Sequence, residues 1–252
     1  MVAAIGAGNA ATPQRPVRRG DKVSEAIARD IVRRIGAEGM APGTQLPPEA
    51  KMLEEYRVGR GSLREALRIL EVHGLISIKP GPRGGPTVDQ VHTRNFGRMA
   101  SLYFQMDGMT FRELIEARLL MEPMLARAAA ERRDPQLTDE LARFEGATRG
   151  GEDEYLRLAG DFHQLVAVMS GNRIMSLFGQ SLADVLRDRL QDSLFPKSRR
   201  REILAVHSDI GRAIAAGESD LAERLMREHM TDYAAQAKRR HPGLMQEVVD
   251  WR

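Results

Sequence analysis

Three arginines, Arg60, Arg64 and Arg68, recur at four-residue spacing in the stretch VGRGSLREALRILEVHG. On a helix of 3.6 residues per turn that spacing makes one cationic stripe. A helix fits the DNA major groove, and a guanidinium there can donate two hydrogen bonds to O6 and N7 of guanine. Arg60 falls at the helix start, where base edges are met; Arg64 follows one turn on; Arg68 lies nearer a phosphate. Gly61 and Ser62 keep the helix start slim, and the Ser62 hydroxyl can reach phosphate. The alternative is a solvated face with the intrahelical pairs Glu65–Arg68 and Arg68–Glu71.

A second group of chemical residues lies farther along. His163 shares an apolar stripe with Leu156, Ala159 and Val166. His207 aligns with Ile203, Ile210 and Ile214, and His229 with Leu225, Met226 and Tyr233. A lone histidine on an apolar face is usually a satisfied core residue, but three from three helices suggest a site. Imidazole is the commonest metal ligand at neutral pH and suits Zn²⁺ or Ni²⁺.

The elements that must position these groups follow from the apolar pattern. Val23, Ile27, Ile31 and Ile35 predict a first helix that Gly39 and Pro42 stop. Pro47 and Pro48 open a second helix at roughly 49–56, and the arginine helix covers roughly 60–73 and ends at Gly74. Leu63, Ala66, Leu67 and Leu70 form its buried face. Leu75–Lys79 and Pro86–Val91 are short strands around a Gly/Pro tip. From His92 onward the pattern is helical, at roughly 93–106, 110–131, 135–149, 152–170, 172–193, 198–216 and 218–239. The fold class expected is mainly α: an N-terminal winged helix-turn-helix, then an antiparallel bundle of about seven helices. The expected division is a disordered arm at 1–20, a DNA-binding domain at 21–91, a helical effector and dimerisation domain at 92–240, and a loosely held C-terminal tail at 241–252.

The bulk numbers agree with that division. Residues 1–92 hold 14 Lys and Arg against 10 Asp and Glu, whereas the rest holds 24 against 25. The basic excess therefore travels with the arginine helix, as nucleic-acid binding requires. No apolar run approaches the roughly 20 residues that span a bilayer, so no membrane partner is expected. In the first 20 residues the arginines follow the apolar residues, the reverse of a signal peptide. With no cysteine there is no disulfide and no thiolate chemistry, which suits a reducing cytoplasm.

The segments PGTQLPPE (Pro42–Glu49), VGRGSLREALRILEVHGLI (Val58–Ile76) and KPGPRGGPTV (Lys79–Val88) resemble the DNA-binding domain of the GntR family of bacterial transcription regulators. The resemblance implies that Arg60 and Arg64 contact bases and that the Gly81 backbone approaches the minor groove; Arg83, in the same wing, is a further DNA-binding candidate. Two departures stand out. The family order of glycine, valine, then serine or threonine is here Arg57, Val58, Gly59, so Gly59 offers no hydroxyl and Arg57 must adopt a conformation that glycine takes more readily. Where the family often has an arginine this chain has Ala50; the adjacent Lys51, also a DNA-binding candidate, points elsewhere.

The segments ARLLMEPMLARAAAER (Ala117–Arg132), DFHQLVAVMSGN (Asp161–Asn172), VHSDIGRAIAAGESDLA (Val206–Ala222) and MREHM (Met226–Met230) are similar to the effector domain of the family's FadR subfamily. That resemblance implies a divalent metal on His163, His207 and His229, and an effector carboxylate on Arg118; a surface ion pair with Glu122 is the alternative for Arg118. The subfamily's aspartate, four residues before the first histidine, is Ala159 here. Asp161 stands about 200° round the helix from His163. With water or an effector carboxylate filling the open positions, three histidines still suffice for a metal; alternatively they take an anionic effector directly.

These features predict a homodimeric, ligand-responsive repressor on a pseudo-palindromic duplex operator, controlled by a small carboxylate or sugar acid, with no catalytic residues. Two rivals remain at this stage: a metal-dependent hydrolase with a DNA-binding appendage, since three histidines with an open position can activate water, and a DNA-binding protein that answers to no effector.

Overall fold

The computed structural model describes residues 22–81, 84–141, 144, 152–189 and 197–251. The chain separates into two compact units, one ending at Val91 and the other beginning at His92. The expected N-terminal arm lies outside the described residues.

The first unit starts with α1 (Val23–Ala37). Ile27 and Ile31 of its stripe are buried, whereas Val23 at the head is exposed. Two short helices follow, α2 (Glu49–Tyr56) and α3 (Arg60–Val72). Pro48 occupies the position before α2, where a missing N–H costs nothing. Arg57 ends α2 at φ 53° and ψ 46°, in the left-handed region. A glycine accepts that conformation without a Cβ clash; here an arginine carries it. Gly59, extended at φ −74°, then starts α3 without a side-chain cap.

The wing is an antiparallel pair, β1 (Ile76–Lys79) and β2 (Gly85–Val88), in the register Ile76 with Val88 and Lys79 with Gly85. β2 stops at Val88, not Val91, so the expected second strand starts one residue earlier and ends three sooner. Its other edge is covered by residues 43–46, through Val88 N–H to Thr44 O (2.9 Å) and Leu46 N–H to Pro86 O (2.9 Å). Pro86 tolerates this place because it only needs to accept there. A side chain at Gly84 would meet the carbonyl oxygens of Lys79 and Pro80, so the wing tip requires glycine. Ile27, Ile31, Leu46, Met52, Leu67 and Ile76 are among the residues that close one small core beneath these elements.

The second unit contains α4 (Thr93–Met106), α5 (Phe111–Arg132), α6 (Pro135–Leu141), α7 (Glu152–Met169), α8 (Arg173–Arg189), α9 (Arg200–Ala216) and α10 (Ser219–Arg240). The stretches expected to extend α6 to 149 and α8 to 193 lie outside the described residues. α5 is the axis, packed against α7, α8, α9 and α10. It is apolar on several sides, as a helix surrounded by others must be. A capping box starts it: Thr110 accepts from the Glu113 backbone, and the Glu113 carboxylate accepts from Thr110 N–H at 2.8 Å.

The tail is docked, contrary to expectation. Phe111 N–H donates to Glu247 O (3.1 Å), and Val249 N–H donates to Met109 O (2.8 Å). Met245 and Val249 are buried. The apolar pair Met245 and Val249 gives the segment something to bury, which its polar composition obscured.

Candidate nucleic-acid interface and metal centre

α3 turns Leu63, Ala66, Leu67 and Leu70 into the core, and this leaves the arginines outward. Arg60, Gly61, Arg64 and Arg68 are exposed, Ser62 is partly buried, and Lys51 on α2 is exposed. Of the expected intrahelical pairs, Arg68 meets Glu71 at 3.8 Å. Arg64 instead reaches Glu49 at the head of α2, at 3.5 Å, a link that sequence spacing did not suggest. With the two arginine side chains 69% and 72% exposed, these pairs hold little energy and leave the guanidinium groups free to re-pair. Gly81 is exposed at φ 105°, a conformation suited to glycine. Arg83 lies outside the described residues.

In the second unit four helices bring one polar cluster together: His163 from α7, His207 from α9, His229 from α10, and Arg118 with Glu122 from α5. His207 Nε2 lies 3.1 Å from His229 Nε2, which in turn lies 3.3 Å from His163 Nε2. His207 and His229 are buried and His163 partly so. The Phe162 ring stacks on His207 with centroids 4.2 Å apart and fixes its plane. Burial, and then the neighbouring histidines, push His207 well below the ordinary histidine value. The same causes, burial first, bring His229 down to about 3. Both rings are therefore neutral near pH 7, with lone pairs available.

Arg118 is expected either to meet an effector or to form a surface pair. It does pair with Glu122, Nε to Oε1 at 2.7 Å, but the pair is buried. Its Nη1 also donates to the Tyr233 hydroxyl at 3.4 Å. The second Glu122 oxygen contacts His163 Nδ1. Burial opposes charge on Glu122, but Arg118 and His163 outweigh it and hold the carboxyl down at about 2. Glu122 and Tyr233 are thus parts of the site that the sequence reading missed. The signal available was the i, i+4 alignment of Arg118 with Glu122, and of His229 with Tyr233, each on one helical face.

The donor set fits a metal ion. Two imidazole nitrogens at 2.0–2.1 Å from zinc in tetrahedral geometry lie about 3.3 Å apart. The separations of 3.1 and 3.3 Å are close to this. Asp161 is not part of the set, because it faces Arg157 at 3.3 Å. Ala159 packs against the apolar core and supplies no ligand. Three ligands leave an open position, and His163, alone of the three, lines a small cleft with Glu122, Gln164, Gln180, Asp184 and Arg187 among others.

Comparison with known proteins agrees with both halves. Residues 23–84 match the family described as bacterial regulatory proteins, gntR family, and residues 113–232 match the FCD domain. The chain is 29% identical over 235 residues to the HTH-type transcriptional repressor NanR of Enterobacter sp. (strain 638), covering 88% of this chain and 87% of that one. It is 28% identical over 230 residues to the NanR repressor of Escherichia coli (strain K12), covering 88% and 86%. Among solved structures, Streptococcus agalactiae GntR superposes with a TM-score of 0.62 at 25% identity, over 84% of this chain and 99% of that one. The hydrolase reading gives way to a regulator, and the winged unit and helical bundle take their roles from the two matched domains. The chain belongs to the GntR family of bacterial regulatory proteins, in its FCD-domain form, and is a ligand-responsive DNA-binding transcription regulator.

Proposed function

We propose that the protein is a cytoplasmic bacterial repressor that works as a homodimer on a pseudo-palindromic operator and answers to a small carboxylate or sugar acid bound beside a divalent metal. The observation that carries the effector reading is the convergence of the three histidines, with Nε2 separations of 3.1 and 3.3 Å, beside a cleft that His163 lines. His163, His207 and His229 hold the metal, of the zinc or nickel kind. When bound, it supplies an electrophilic open position for an anionic oxygen.

The chain's own charges favour an anion. Imidazole ligands bring no negative charge, Ala159 contributes no carboxylate, and Glu122 is matched by Arg118. The charge of a bound cation is therefore left for the ligand to balance. Arg118 serves the effector from behind Glu122, by holding that carboxylate in place. In the winged unit, Arg60 and Arg64 read base edges, with Gly61 allowing close approach. Ser62, Arg68 and Lys51 meet the phosphates, and Gly81 and Arg83 of the wing follow the neighbouring groove. The named relatives' printed role supports repression.

A thermal-shift series on the full-length protein tests this reading, with a panel of small carboxylates and sugar acids, with Zn²⁺ or Ni²⁺ and after chelation. Stabilisation by carboxylates that needs the metal is expected. Stabilisation that survives chelation removes the metal from the effector site. An absence of carboxylate effects in both arms overturns the effector reading.

A further inference from the structure

Each histidine of the centre has a second ring nitrogen, and those of His207 and His163 have different surroundings. His207 Nδ1 is buried with no hydrogen-bond partner among the described residues, and that ring is oriented by Phe162. His163 Nδ1 instead meets the free oxygen of Glu122, a residue from another helix. Neither of these two atoms has any other hydrogen-bond partner among the described residues.

We propose that Glu122 is the positioning residue for metal binding at the three-histidine centre, fixing His163 with its proton on Nδ1 and its Nε2 lone pair facing the other two histidines. The proposal rests on the metal reading above and deepens it. An ionised carboxylate has no proton to give, so at this contact it can only accept. A neutral imidazole carries one N–H, and once that sits on Nδ1 the lone pair is on Nε2. His163 Nε2 is the atom 3.3 Å from His229 Nε2.

The carboxylate is itself held from behind. Arg118 takes Oε1, with Nε at 2.7 Å and Nη2 at 2.5 Å, and so leaves Oε2 for the histidine. Tyr233 steadies the guanidinium from α10, the helix that also carries His229. The chain from Tyr233 through Arg118 and Glu122 to His163 thus begins and ends on helices that supply metal ligands. Partners of this kind behind a ligating histidine set its tautomer and raise its basicity. The carboxylate that meets His163 Nδ1 comes from α5, a helix that supplies none of the three histidines.

The test uses full-length protein and Zn²⁺ as the probe, with affinity read by chelator competition. Glu122→Gln is expected to weaken Zn²⁺ about ten- to hundredfold, because an amide can donate to Nδ1 as well as accept. If that variant fails to fold, Arg118→Met with Glu122→Leu removes the whole buried pair without leaving an orphaned charge. The same fall is expected there. Long-range ¹⁵N–¹H spectra of histidine-labelled, metal-free protein supply a readout that a packing role would not move. The wild type should show His163 with its proton on Nδ1, and the variants should lose that preference. Unchanged affinity in the folded variant, or a wild-type His163 protonated on Nε2, overturns the proposal. If the wild type takes up no Zn²⁺, the metal reading fails, and the tautomer spectrum then decides separately whether Glu122 holds His163.

Discussion

Arg60 and Arg64 stand at the head of α3 with their guanidinium groups open to solvent, and exposed cations at that place are what base reading needs. Arg60→Ala or Arg64→Ala is expected to cost about 1–3 kcal/mol against an operator selected from random duplexes. Fluorescence anisotropy checks this. Arg68→Ala should instead weaken all duplexes alike and lower the salt slope by about 1. At the histidine centre, Ala159→Asp places a carboxylate one turn before His163. It is expected to tighten Zn²⁺ at least about tenfold and to blunt the response to carboxylates, as it would occupy the position left for them. Competition with a chelator, with and without carboxylate, reads both effects.

The buried histidines also set an acid limit at this scale. Their folded pKa values lie below the unfolded value of 6.5, so the unfolded chain binds more protons between the two. Stability of the metal-free protein is therefore full above about pH 6.5 and falls as pH drops towards about 3. Urea titrations from pH 7.5 to 5 should show the midpoint falling. A midpoint that rises on acidification would contradict the neutral state assigned to these rings.

The elements explain how such residues are held. α2 ends on a left-handed Arg57, a conformation costing an L-residue roughly 1 kcal/mol. Arg57→Gly is expected to stabilise the winged unit by a few tenths to about 1 kcal/mol, measured by denaturant unfolding. The sequence showed this position, because the glycine common in related turns stands two residues later here. α5 shows the opposite case. Its span was legible as a helix at roughly 110–131, but not that Arg118 and Glu122 face inward. An arginine and a glutamate four residues apart look like a surface pair, and only the neighbours decide otherwise. α7, α9 and α10 surround α5, so its polar face becomes interior and the pair must satisfy itself and His163.

Across the whole molecule, the division after Val91 leaves a small basic unit and a larger helical one, each with its own core. The last residues belong to the second core. Val248 bridges Thr110, and Met245 and Val249 are buried. Truncation after Pro242 is therefore expected to destabilise the helical unit by about 3–6 kcal/mol, the burial of two apolar side chains at roughly 1.5–3 kcal/mol each. Calorimetry should show its transition falling while that of the winged unit keeps its place. An unchanged helical transition would mean that the tail contributes nothing to this core.

The sequence by itself determined the two-part plan, the arginine helix, the wing and the three histidines, because periodicity, glycine and proline act through local sterics and burial. It also exposed the departures at Ala50, Arg57–Gly59 and Ala159, since all are matters of residue type at a known spacing. Only the tertiary structure decided that the histidines' Nε2 atoms converge, that Glu122 rather than Asp161 stands with them, and that the tail docks on α5. Those outcomes depend on residues far apart in the chain, such as Arg118 and Tyr233 at a separation of 115, meeting across packed helices. Spacing along one helix fixes which face a side chain occupies, but packing fixes what that face meets.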